Sequence, residues 1–489
     1  MQFPVKSEVL SLLTRVSDLL AAFGVDAYLV GGFVRDALLK RATADIDIAV
    51  SGDALDIASR FATDTGGHYV LLDEQSKVGR VVLSPWQLDF SSFSGTIAED
   101  LSRRDFTINA MAVSLSDLLD NPKKASLLDP FQGRSDLKKR VIRTVRDGVF
   151  TADPVRLLRA FRLSAELGFA ISDDMKALIQ RDAHLVASVA GERVHEELVR
   201  LLAVHGMAKH LFLLSDTGLL TALIPELAEA EGVTQPPEHH WDVFQHSLRT
   251  VETVEFLLHE GDWEHGEEGL KVQAPWSTQL EEHFAQEVSS GSTRGSILKL
   301  SALLHDIAKP QTKTIEDTGR MRFLGHQEEG ADVVVAILER LRFSSKEIKL
   351  VETSVRHHLR PTQMSHEGLP TSRAIYRYFR DTGDAGIDIL FLSLADHLAA
   401  RGPTLIPVEW QKHVHVVEYM LAQYFETKTV VAPVKLVDGN DLVNIFGLSP
   451  GPRIGLLLEQ VREAQAAGEI TTRDEALSYV REHLGNKVG

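Results

Sequence analysis

The stretch 31–50, GGFVRDALLKRATADIDIAV, decides the fold of the first part of the chain. The apolar run 27–30 before it predicts a strand that ends at a pair of glycines, Gly31 and Gly32. A helix is expected to follow the glycines, and the alternation over 45–50 predicts a second strand. Similar patterns extend this into a small mixed α/β unit, with a helix expected over 7–23 and strands near 68–72, 79–83 and 87–90.

Two carboxylates and the glycine pair predict a metal-dependent phosphate site in this unit. Asp45 and Asp47 are two residues apart on the predicted strand, so their side chains share one face. Paired carboxylates suit divalent ions that hold an attacking oxygen and a triphosphate. Gly31 and Gly32 let backbone amides approach the triphosphate at a helix N-terminus, and Arg35 can add a charged contact. Each feature alone is more often a plain turn or a solvated strand face, but their order and spacing favour the site.

A second polar cluster lies in EDLSRRDFTINAMA (99–112). Arg103 and Arg104 can donate to phosphate, and Asp105 and Asn109 can hydrogen-bond to sugar hydroxyls. The alternative is an ordinary salt-bridged turn. Asp89, on the preceding predicted strand, is the candidate for a third metal carboxylate, and this assignment rests on its position alone.

From about Asp153 onward the pattern becomes almost entirely helical. Asp153 followed by proline predicts a helix N-cap with proline at the first helical position. Arg156 lies three residues after Asp153, so a salt bridge between residues i and i+3 is expected here.

These motifs together resemble the class II branch of the polymerase-β-like nucleotidyltransferases, which contains tRNA CCA-adding enzymes and bacterial poly(A) polymerases. The stretch 152–162, ADPVRLLRAFR, is similar to the nucleotide-selecting motif of that family, although Ala152 replaces the usual Glu. The resemblance implies transfer of nucleotides from CTP or ATP to the 3′ end of tRNA, with Mg²⁺ at the carboxylates. It also implies that Asp153 and Arg156 read the edge of C or A, which fits a carboxylate that accepts from an amino group and a guanidinium that donates to ring acceptors. A salt bridge between the two residues is compatible with this role. The resemblance further implies nucleotide binding by the next two arginines of the motif, Arg159 and Arg162.

The segment between the strand of Asp89 and the motif at Glu99 is short, only SSFSGTIA (91–98). CCA-adding members of the family usually carry a long flexible loop here. The sequence therefore leaves three programmes open: addition of CCA, of CC only, or of A only. Poly(A) polymerase is a further alternative. Uridylyltransferases that modify nitrogen-regulatory proteins are similar in part, but they lack the RRDFTINA stretch (103–110) and the template-like stretch seen here. A non-catalytic RNA-binding module is the alternative from another class, and it would not need both Asp45 and Asp47.

Histidines and aspartates on separate predicted helices form a second constellation. A buried His-Asp pair is costly unless it is paired or bound to a metal. The ordered set resembles the ligands of the HD phosphohydrolase superfamily, with His357 preferred over its neighbour His358: His246, His305, Asp306, His326, His357 and Asp396. Such ligands suit several divalent metals, so the identity of the metal stays open, as does the number of ions. The resemblance implies phosphatase or cyclic phosphodiesterase activity on RNA ends.

Composition sets the broader expectations. The 489 residues contain no cysteine, which fits a reducing compartment and excludes thiolate metal sites. The N-terminus lacks a signal peptide pattern and no apolar stretch could span a bilayer, so a cytoplasmic protein without membrane association is expected. The net charge of −17 argues against nucleic-acid binding, yet basic residues are concentrated in 134–162, where an RNA-binding face is possible.

The sequence therefore predicts an α+β fold: a polymerase-β-like head with a mixed sheet, followed by an all-α neck, an all-α HD domain and a helical tail. The expected boundaries are 1–145, 146–228, 229–402 and 403–489, with an insertion or linker at 261–295. The expected partners are tRNA and CTP or ATP, while the oligomeric state is left open.

Overall fold

The computed structural model describes residues 7–121, 125–260, 272–365, 368–431 and 433–485. Within these residues the chain forms two compact units. The first unit consists of the described residues up to Val189 together with Asp216–Leu223, and the second consists of Ala190–Ser215 and the described residues from Ile224 onward. The predicted four-part division at 145, 228 and 402 stays a prediction.

The secondary structure elements are numbered along the chain. The strands are β1 (Ala27–Val30), β2 (Asp45–Val50), β3 (His68–Asp73), β4 (Val78–Leu83), β5 (Trp86–Ser92), β6 (Ala112–Ser114), β7 (Leu127–Leu128), β8 (Val141–Ile142), β9 (Ala170–Ile171), β10 (Glu287–Ser289), β11 (Ser292–Thr293), β12 (Lys313–Ile315) and β13 (Met321–Phe323). The helices of the first half are α1 (Ser7–Phe23), α2 (Gly31–Leu39), α3 (Ala54–Thr65), α4 (Ile97–Ser102), α5 (Leu115–Asp120), α6 (Gly133–Lys139), α7 (Val149–Ala152), α8 (Arg156–Leu167), α9 (Asp173–Asp182), α10 (Gly191–Leu202), α11 (Ala208–Asp216) and α12 (Leu219–Leu223). The later helices are α13 (Val243–Leu257), α14 (Thr278–Ala285), α15 (Arg294–Leu304), α16 (Lys309–Thr312), α17 (His326–Arg340), α18 (Ser345–His357), α19 (Leu359–Ser365), α20 (Ser372–Thr382), α21 (Gly386–Arg401), α22 (Pro407–Glu426), α23 (Lys428–Val431), α24 (Gly439–Phe446), α25 (Pro452–Ala466) and α26 (Arg473–Gly485). Short 3₁₀ helices lie at Thr107–Asn109, Ala183–Ser188, Pro225–Ala230, Gly383–Ala385 and Gly402–Thr404.

A seven-stranded mixed sheet is the centre of the first unit, with the strand order β3-β4-β5-β2-β1-β6-β7. Strands β2 and β5 are parallel, and the remaining neighbours in this sheet are antiparallel. The apolar residues that alternate with the carboxylates of β2 and β5 are fully buried, namely Ile46, Ile48, Leu88 and Phe90. Since side chains alternate along a strand, burial of this set turns the carboxylates to the opposite face of the sheet.

The predicted elements of the head are confirmed with small changes in their bounds. The helix over 7–23 and the strands 27–30 and 45–50 occur as predicted. The expected N-cap at Asp153 is wrong. Helix α8 begins at Arg156, and Asp153 instead ends α7 in an extended conformation, with its carboxylate near the Arg156 guanidinium.

The second unit is helical, as predicted, with two small hairpins, β10–β11 and β12–β13. Helix α13 packs against α15 and α21, and α17 packs against α18. Helices α15 and α21 are buried along almost their whole length, which explains their continuous apolar sequences. This arrangement brings the predicted histidines and aspartates, except His357, together within one helical unit.

The predicted insertion or linker at 261–295 is partly described. Residues 261–271 lie outside the described residues. Most of the later part forms α14 and the β10–β11 hairpin, and Leu280, Phe284 and Ser292 are buried. A linker would leave such side chains in water, so the linker interpretation is wrong for this part.

Candidate functional site

The glycine turn at the start of α2 lies directly against Asp47. Gly31 has φ +66°, and a Cβ atom on it would lie 2.8 Å from Asp47 Oδ2 and 3.1 Å from Arg104 Nη1. The backbone N–H of Phe33 donates to Asp47 Oδ2 at 3.4 Å. Only glycine leaves this space open, so the sequence places the first turn of α2 and the Asp47 carboxylate in contact.

Three carboxylates lie in neighbouring positions on β2 and β5. Asp47 is the register partner of Asp89 across the parallel pair, and Asp45 shares the face of Asp47. Burial raises the pKa of Asp47, as do the charges of Asp89 and Asp45, whereas Arg104 and the Phe33 amide lower it. A group of negative charges that raises the pKa of one of its members attracts cations, and oxygen ligands suit hard divalent ions.

Arg80 of β4 is bound to the third carboxylate. Its Nε and Nη2 atoms donate to the two oxygens of Asp89 at 2.7 and 2.8 Å. Sequence reasoning missed Arg80, because the pairing depends on the register of β4 against β5. Alternation along 79–83 was the available signal, since it places Arg80 on one face of a strand.

A hydrogen-bonded network joins the second motif to α2 and α8. Arg35 donates to Asn109 Oδ1 at 2.8 Å and holds Asp36 with two further bonds. Asn109 Nδ2 donates to Asp105 Oδ1 at 3.2 Å, and Arg159 Nη1 lies 3.4 Å from Asp105 Oδ2. Burial alone would raise the pKa of Asp105. Other effects, of which the charge of Arg159 is the largest, outweigh burial and hold this pKa below its ordinary value. Predicted residues from three sequence motifs therefore meet in one network.

Arg103 and Arg104 both pair with Asp100 of α4, at 3.4 and 3.1 Å. Arg103 is about half exposed, and Arg104 also faces the Gly31 turn, which lies against Asp47. The predicted contact of these two arginines with a triphosphate stays a prediction.

The predicted base-reading pair is also together. Arg156 Nε lies 3.7 Å from Asp153 Oδ2, and Arg156 Nη2 donates to the carbonyl of Arg103 at 3.3 Å. Within the described part of the chain, the buried Nε and Nη1 atoms of Arg156 have no hydrogen-bond partner. Burial lowers the pKa of this arginine. Arg162 lies further along α8, where it is buried and donates to Glu166 at 2.8 and 2.9 Å.

The second unit contains a candidate metal centre made of two groups of ligand atoms. In the first group His246 Nε2 lies 3.2 Å from His305 Nε2 and 3.0 Å from Asp396 Oδ1. In the second group His326 Nε2 lies 3.4 Å from both His358 Nε2 and Asp306 Oδ1. In each group the ligand atoms lie within 4.8 Å of one another.

Asp306 connects the two groups. One of its oxygens, Oδ2, lies 3.1 Å from His305 Nε2, while the other, Oδ1, faces His326 and His358. A carboxylate with one oxygen towards each group is suited to bridge two cations.

The preference for His357 over His358 is wrong. His358 follows the last residue of α18, is fully buried, and directs Nε2 into the second group, whereas His357 is only partly buried and lies outside both groups. Two adjacent helical residues point about 100° apart, so only one can face the interior.

The ring orientations show that the clustered nitrogens are arranged for a cation. The Nδ1 atoms of His305, His326 and His358 lie 2.6–2.8 Å from the carbonyls of Ala302, Phe323 and Val355, to which they can only donate. A ring that donates through Nδ1 has a bare Nε2 when neutral. His326 and His358 therefore direct two lone pairs at each other across 3.4 Å, and a cation between them removes this repulsion.

The two groups of histidines differ in their pKa values. Burial, together with His305 and His326, lowers the pKa of His358 to about 3, and burial also lowers that of His326. For His305 the charges of Asp306 and Asp396 outweigh burial and raise the pKa to about 10. The first group thus attracts positive charge, and the second has neutral imidazoles, which are the form that binds metals.

A pocket of about 380 Å³ opens onto the candidate metal centre. Two of its lining residues were missed by the sequence reasoning. Lys309 Nζ lies 2.6 Å from Asp306 Oδ2 and was detectable as the basic residue three positions after Asp306. His239 lies beside His246, and burial lowers its pKa to about 3. No local signal distinguished it from an ordinary loop histidine.

The sheet, the glycine turn and the carboxylates define a nucleotidyltransferase head. The two groups of histidine and aspartate ligands define an HD-type helical unit. The pattern described as "Poly A polymerase head domain" matches residues 27–92 and 77–143, and the pattern described as "HD domain" matches 243–401. Residues 168–231 match "Probable RNA and SrmB- binding site of polymerase A", and 404–480 match the family of tRNA nucleotidyltransferase domain 2.

Two relatives extend this similarity to nearly the whole chain. An A-adding tRNA nucleotidyltransferase from Deinococcus radiodurans is 34% identical over 94% of this chain and 96% of its own length. A CC-adding tRNA nucleotidyltransferase from Thermus thermophilus is 32% identical over 93% of both chains. The chain belongs to the tRNA nucleotidyltransferase family, and it is a nucleotidyltransferase with an HD domain.

Solved structures agree with the fold. A CCA-adding enzyme in complex with ATP matches with a TM-score of 0.67 and 22% identity, covering 98% of this chain and 97% of that one. The Thermotoga maritima CCA-adding enzyme complexed with tRNA matches with a TM-score of 0.64, also at 22% identity and with the same coverage of each chain. Among the described residues, every helix is too short or too polar to cross a lipid bilayer.

Proposed function

We propose that this chain transfers cytidylyl or adenylyl groups from CTP or ATP to the 3′ end of tRNA at the face formed by Asp45, Asp47 and the glycine turn. The observation that supports this most is the contact between the Asp47 carboxylate and the first turn of α2. A helix N-terminus with exposed amides favours a triphosphate, and the carboxylates beside it favour the cation that accompanies one.

In the proposed reaction the 3′-hydroxyl of RNA attacks the α-phosphate, and pyrophosphate leaves. Asp45 and Asp47 would hold Mg²⁺, assisted by Asp89, and the bound ion would lower the charge barrier between hydroxyl and phosphate. In this proposal Gly31 and Gly32 let the triphosphate approach the amides of α2, and Arg104, beside Gly31, and Arg103 would neutralise its charge. The resemblance to the family favours Mg²⁺ as the ion.

Asp153 and Arg156 are the proposed base-reading residues. The buried Nε and Nη1 donors of Arg156, which have no hydrogen-bond partner in the described chain, suit a ligand acceptor, and the Asp153 carboxylate nearby can accept from an exocyclic amino group. An unsatisfied buried donor costs free energy, so the correct base would relieve this cost when it binds. Arg159 supports the pair by contacting Asp105.

We propose a partial programme, CC or A, in place of complete CCA addition. Only Phe93–Thr96 connects β5 to α4, which leaves little chain for a mobile element at this edge of the site. The two relatives described above, which align over nearly their whole length, carry names with a single programme, one A-adding and one CC-adding.

The programme is tested with three tRNA transcripts that end before CC, after CC and after CCA, each incubated with CTP alone, ATP alone and both. Addition of two C residues to the shortest transcript without A addition to any transcript, or addition of one A to the transcript ending in CC without C addition to the shortest one, supports the proposal. Synthesis of the complete CCA end on the shortest transcript would overturn the partial programme. Growth beyond CCA with ATP would indicate poly(A) polymerase.

The catalytic proposal is tested with Asp47→Ala and the matched control Asp56→Ala, an exposed aspartate of α3 in the same unit. Asp47→Ala is expected to abolish addition while tRNA binding, measured by filter retention, stays near the wild-type level. Equal turnover in Asp47→Ala would rule out the proposed mechanism. Unaltered tRNA binding without any catalysis in the wild type would favour an RNA-binding module.

The HD site is proposed to hydrolyse phosphate esters at RNA ends. The two groups of ligand atoms, joined by Asp306, support a water-activating centre with one or two divalent ions, and the adjoining pocket of about 380 Å³ has a volume typical of small-ligand sites. Removal of a terminal phosphate yields the free 3′-hydroxyl that nucleotide addition requires.

The hydrolytic proposal is tested with RNA that ends in a 3′-phosphate or a 2′,3′-cyclic phosphate. His305→Ala is expected to lose hydrolysis and to retain nucleotide addition. Undiminished hydrolysis in this variant would contradict the site.

A further inference from the structure

The strongest feature outside the predicted residues is the row of charges across β4, β5 and β2. Arg80 is the register partner of Asp89 across the antiparallel pair, and Asp89 is the register partner of Asp47 across the parallel pair. Register partners in a sheet project from the same face. Arg80, Asp89 and Asp47 therefore form a line of side chains on the face that carries the proposed magnesium site.

The geometry between Arg80 and Asp89 is bidentate, with Nε to Oδ1 at 2.7 Å and Nη2 to Oδ2 at 2.8 Å. Such a fork fixes the plane of the carboxylate as well as its position. A carboxylate has about four lone-pair sites and the fork uses two, so Asp89 retains one on each oxygen for another partner. Arg80 can therefore hold Asp89 without excluding a cation.

We infer that Arg80 is a positioning residue that orients Asp89 as the third ligand of the nucleotidyltransferase metal site. The inference rests on the proposed function of Asp45 and Asp47. Without Arg80, Asp89 lies beside two other carboxylates, and their mutual repulsion favours rotamers that turn it away from them. The guanidinium offsets this repulsion and keeps the third ligand in place, as partners of metal ligands commonly do.

Two competing interpretations predict different results for the same variant. If the pair were only a cross-strand salt bridge at a partly exposed site, its loss would change stability slightly and leave metal binding unchanged. If Arg80 competed with the metal for Asp89, its removal would strengthen metal binding, because a positive charge would leave the site. Positioning alone predicts weaker metal binding despite the loss of a positive charge.

The experiment measures binding of the α,β-methylene analogues of CTP and ATP to the full-length protein by isothermal titration calorimetry, over a range of Mg²⁺ concentrations and in EDTA. These probes bind without reacting, so the measurement is independent of turnover. Arg80→Ala is expected to shift the Mg²⁺ concentration needed for half-maximal analogue affinity upward by about tenfold, with recovery at high Mg²⁺. Arg80→Lys, which keeps the charge but loses the fork, is expected to fall between Arg80→Ala and the wild type.

The control is Arg60→Ala, which removes an exposed arginine paired with Asp56 on α3 and should leave the Mg²⁺ dependence unchanged. In an Asp89→Ala background, Arg80→Ala should have no further effect, because its target is gone. An unchanged or lower Mg²⁺ requirement in Arg80→Ala would overturn the inference. So would an equal loss of analogue affinity in EDTA, which would mean that Arg80 contacts the nucleotide itself. If the wild type shows no Mg²⁺ dependence, or Asp47→Ala retains it, the proposed function fails instead.

Discussion

Gly31→Ala tests the contact on which the proposed nucleotidyltransferase site depends. The substitution adds one methyl group at a residue with φ +66°, at the start of α2. The left-handed conformation costs a non-glycine residue about 1–2 kcal/mol. The added Cβ would also lie 2.8 Å from Asp47 Oδ2, a separation that real Cβ atoms essentially never show.

The size of the catalytic effect follows from the displacement that this contact requires. Ordinary van der Waals contact begins at 3.4 Å, so the Asp47 carboxylate and the turn must separate by roughly 0.6 Å. A misplacement of about 1 Å at a reacting centre can reduce the rate by about 100-fold. We therefore expect a decrease in kcat for single-nucleotide addition of between about tenfold and 100-fold.

Two matched glycines separate displacement of Asp47 from general strain. Gly66 ends α3 at φ +72° with no atom within 4 Å of its Cβ position, so Gly66→Ala has the same backbone strain without the contact. Gly32 lacks the positive φ, and its Cβ would lie 3.6 Å from Asp47 Oδ2, an ordinary distance. Rates are measured for one addition under saturating nucleotide, with melting temperatures recorded for each variant. Activity of Gly31→Ala above half of the wild-type value, or an equal loss in Gly66→Ala, would refute the reasoning.

Three further predictions follow from the other clusters. His358→Ala is expected to lose phosphate-ester hydrolysis and at least one bound metal ion, measured by elemental analysis, while His357→Ala retains both; the reverse result would restore the sequence-based preference. Arg156→Lys is expected to reduce discrimination between CTP and ATP by roughly tenfold in kcat/KM, since a bidentate contact to a base contributes about 1–3 kcal/mol, and unchanged discrimination would remove Arg156 from base selection. Burial alone would raise the pKa of Glu347, but hydrogen bonds, of which the one with His195 is the strongest, lower this pKa to about 2. The carboxylate therefore stabilises the fold above its ordinary pKa and loses this effect as the pH falls from about 4.5 towards 2, so Glu347→Gln should destabilise the protein in urea at pH 7 by up to about 3 kcal/mol, and a difference that does not shrink below pH 4.5 would contradict this assignment.

The head could be predicted from the sequence because its signals are short and local. The alternation over 45–50 determines which side chains are buried, and the structure buries Ile46 and Ile48 as that period requires. The glycine pair marks the strand end, because Gly31 needs a left-handed conformation against Asp47. Both features depend on a few consecutive residues, so no information about distant parts of the chain was needed.

The metal centre could be predicted only in part. Five of the six clustered ligands were identified, from their places on predicted helices and from the resemblance to the HD superfamily, but the choice between His357 and His358 depends on the rotation of α18 about its axis. That rotation is set by packing against α15 and α17, and the apolar residues of α18 allow either histidine to lie near the buried face. The ring orientation of His358 further depends on its hydrogen bond to the Val355 carbonyl at the end of the helix. No sequence pattern predicts this hydrogen bond.

The role of Arg80 could not be predicted from the sequence, because it depends on the pairing of two strands. The eight residues between Arg80 and Asp89 contain a turn, and the pairing of the two side chains depends on the register that this turn sets. A shift of one residue would place Arg80 on the opposite face, away from every carboxylate of the site. The parallel register of β5 against β2 separately places Asp89 opposite Asp47, so two strand registers are needed to bring Arg80 onto the third carboxylate of the site. A change in the β4–β5 turn that shifts the register of β4 should therefore alter Mg²⁺ dependence through Arg80, whereas a change in β3, at the edge of the sheet, should not.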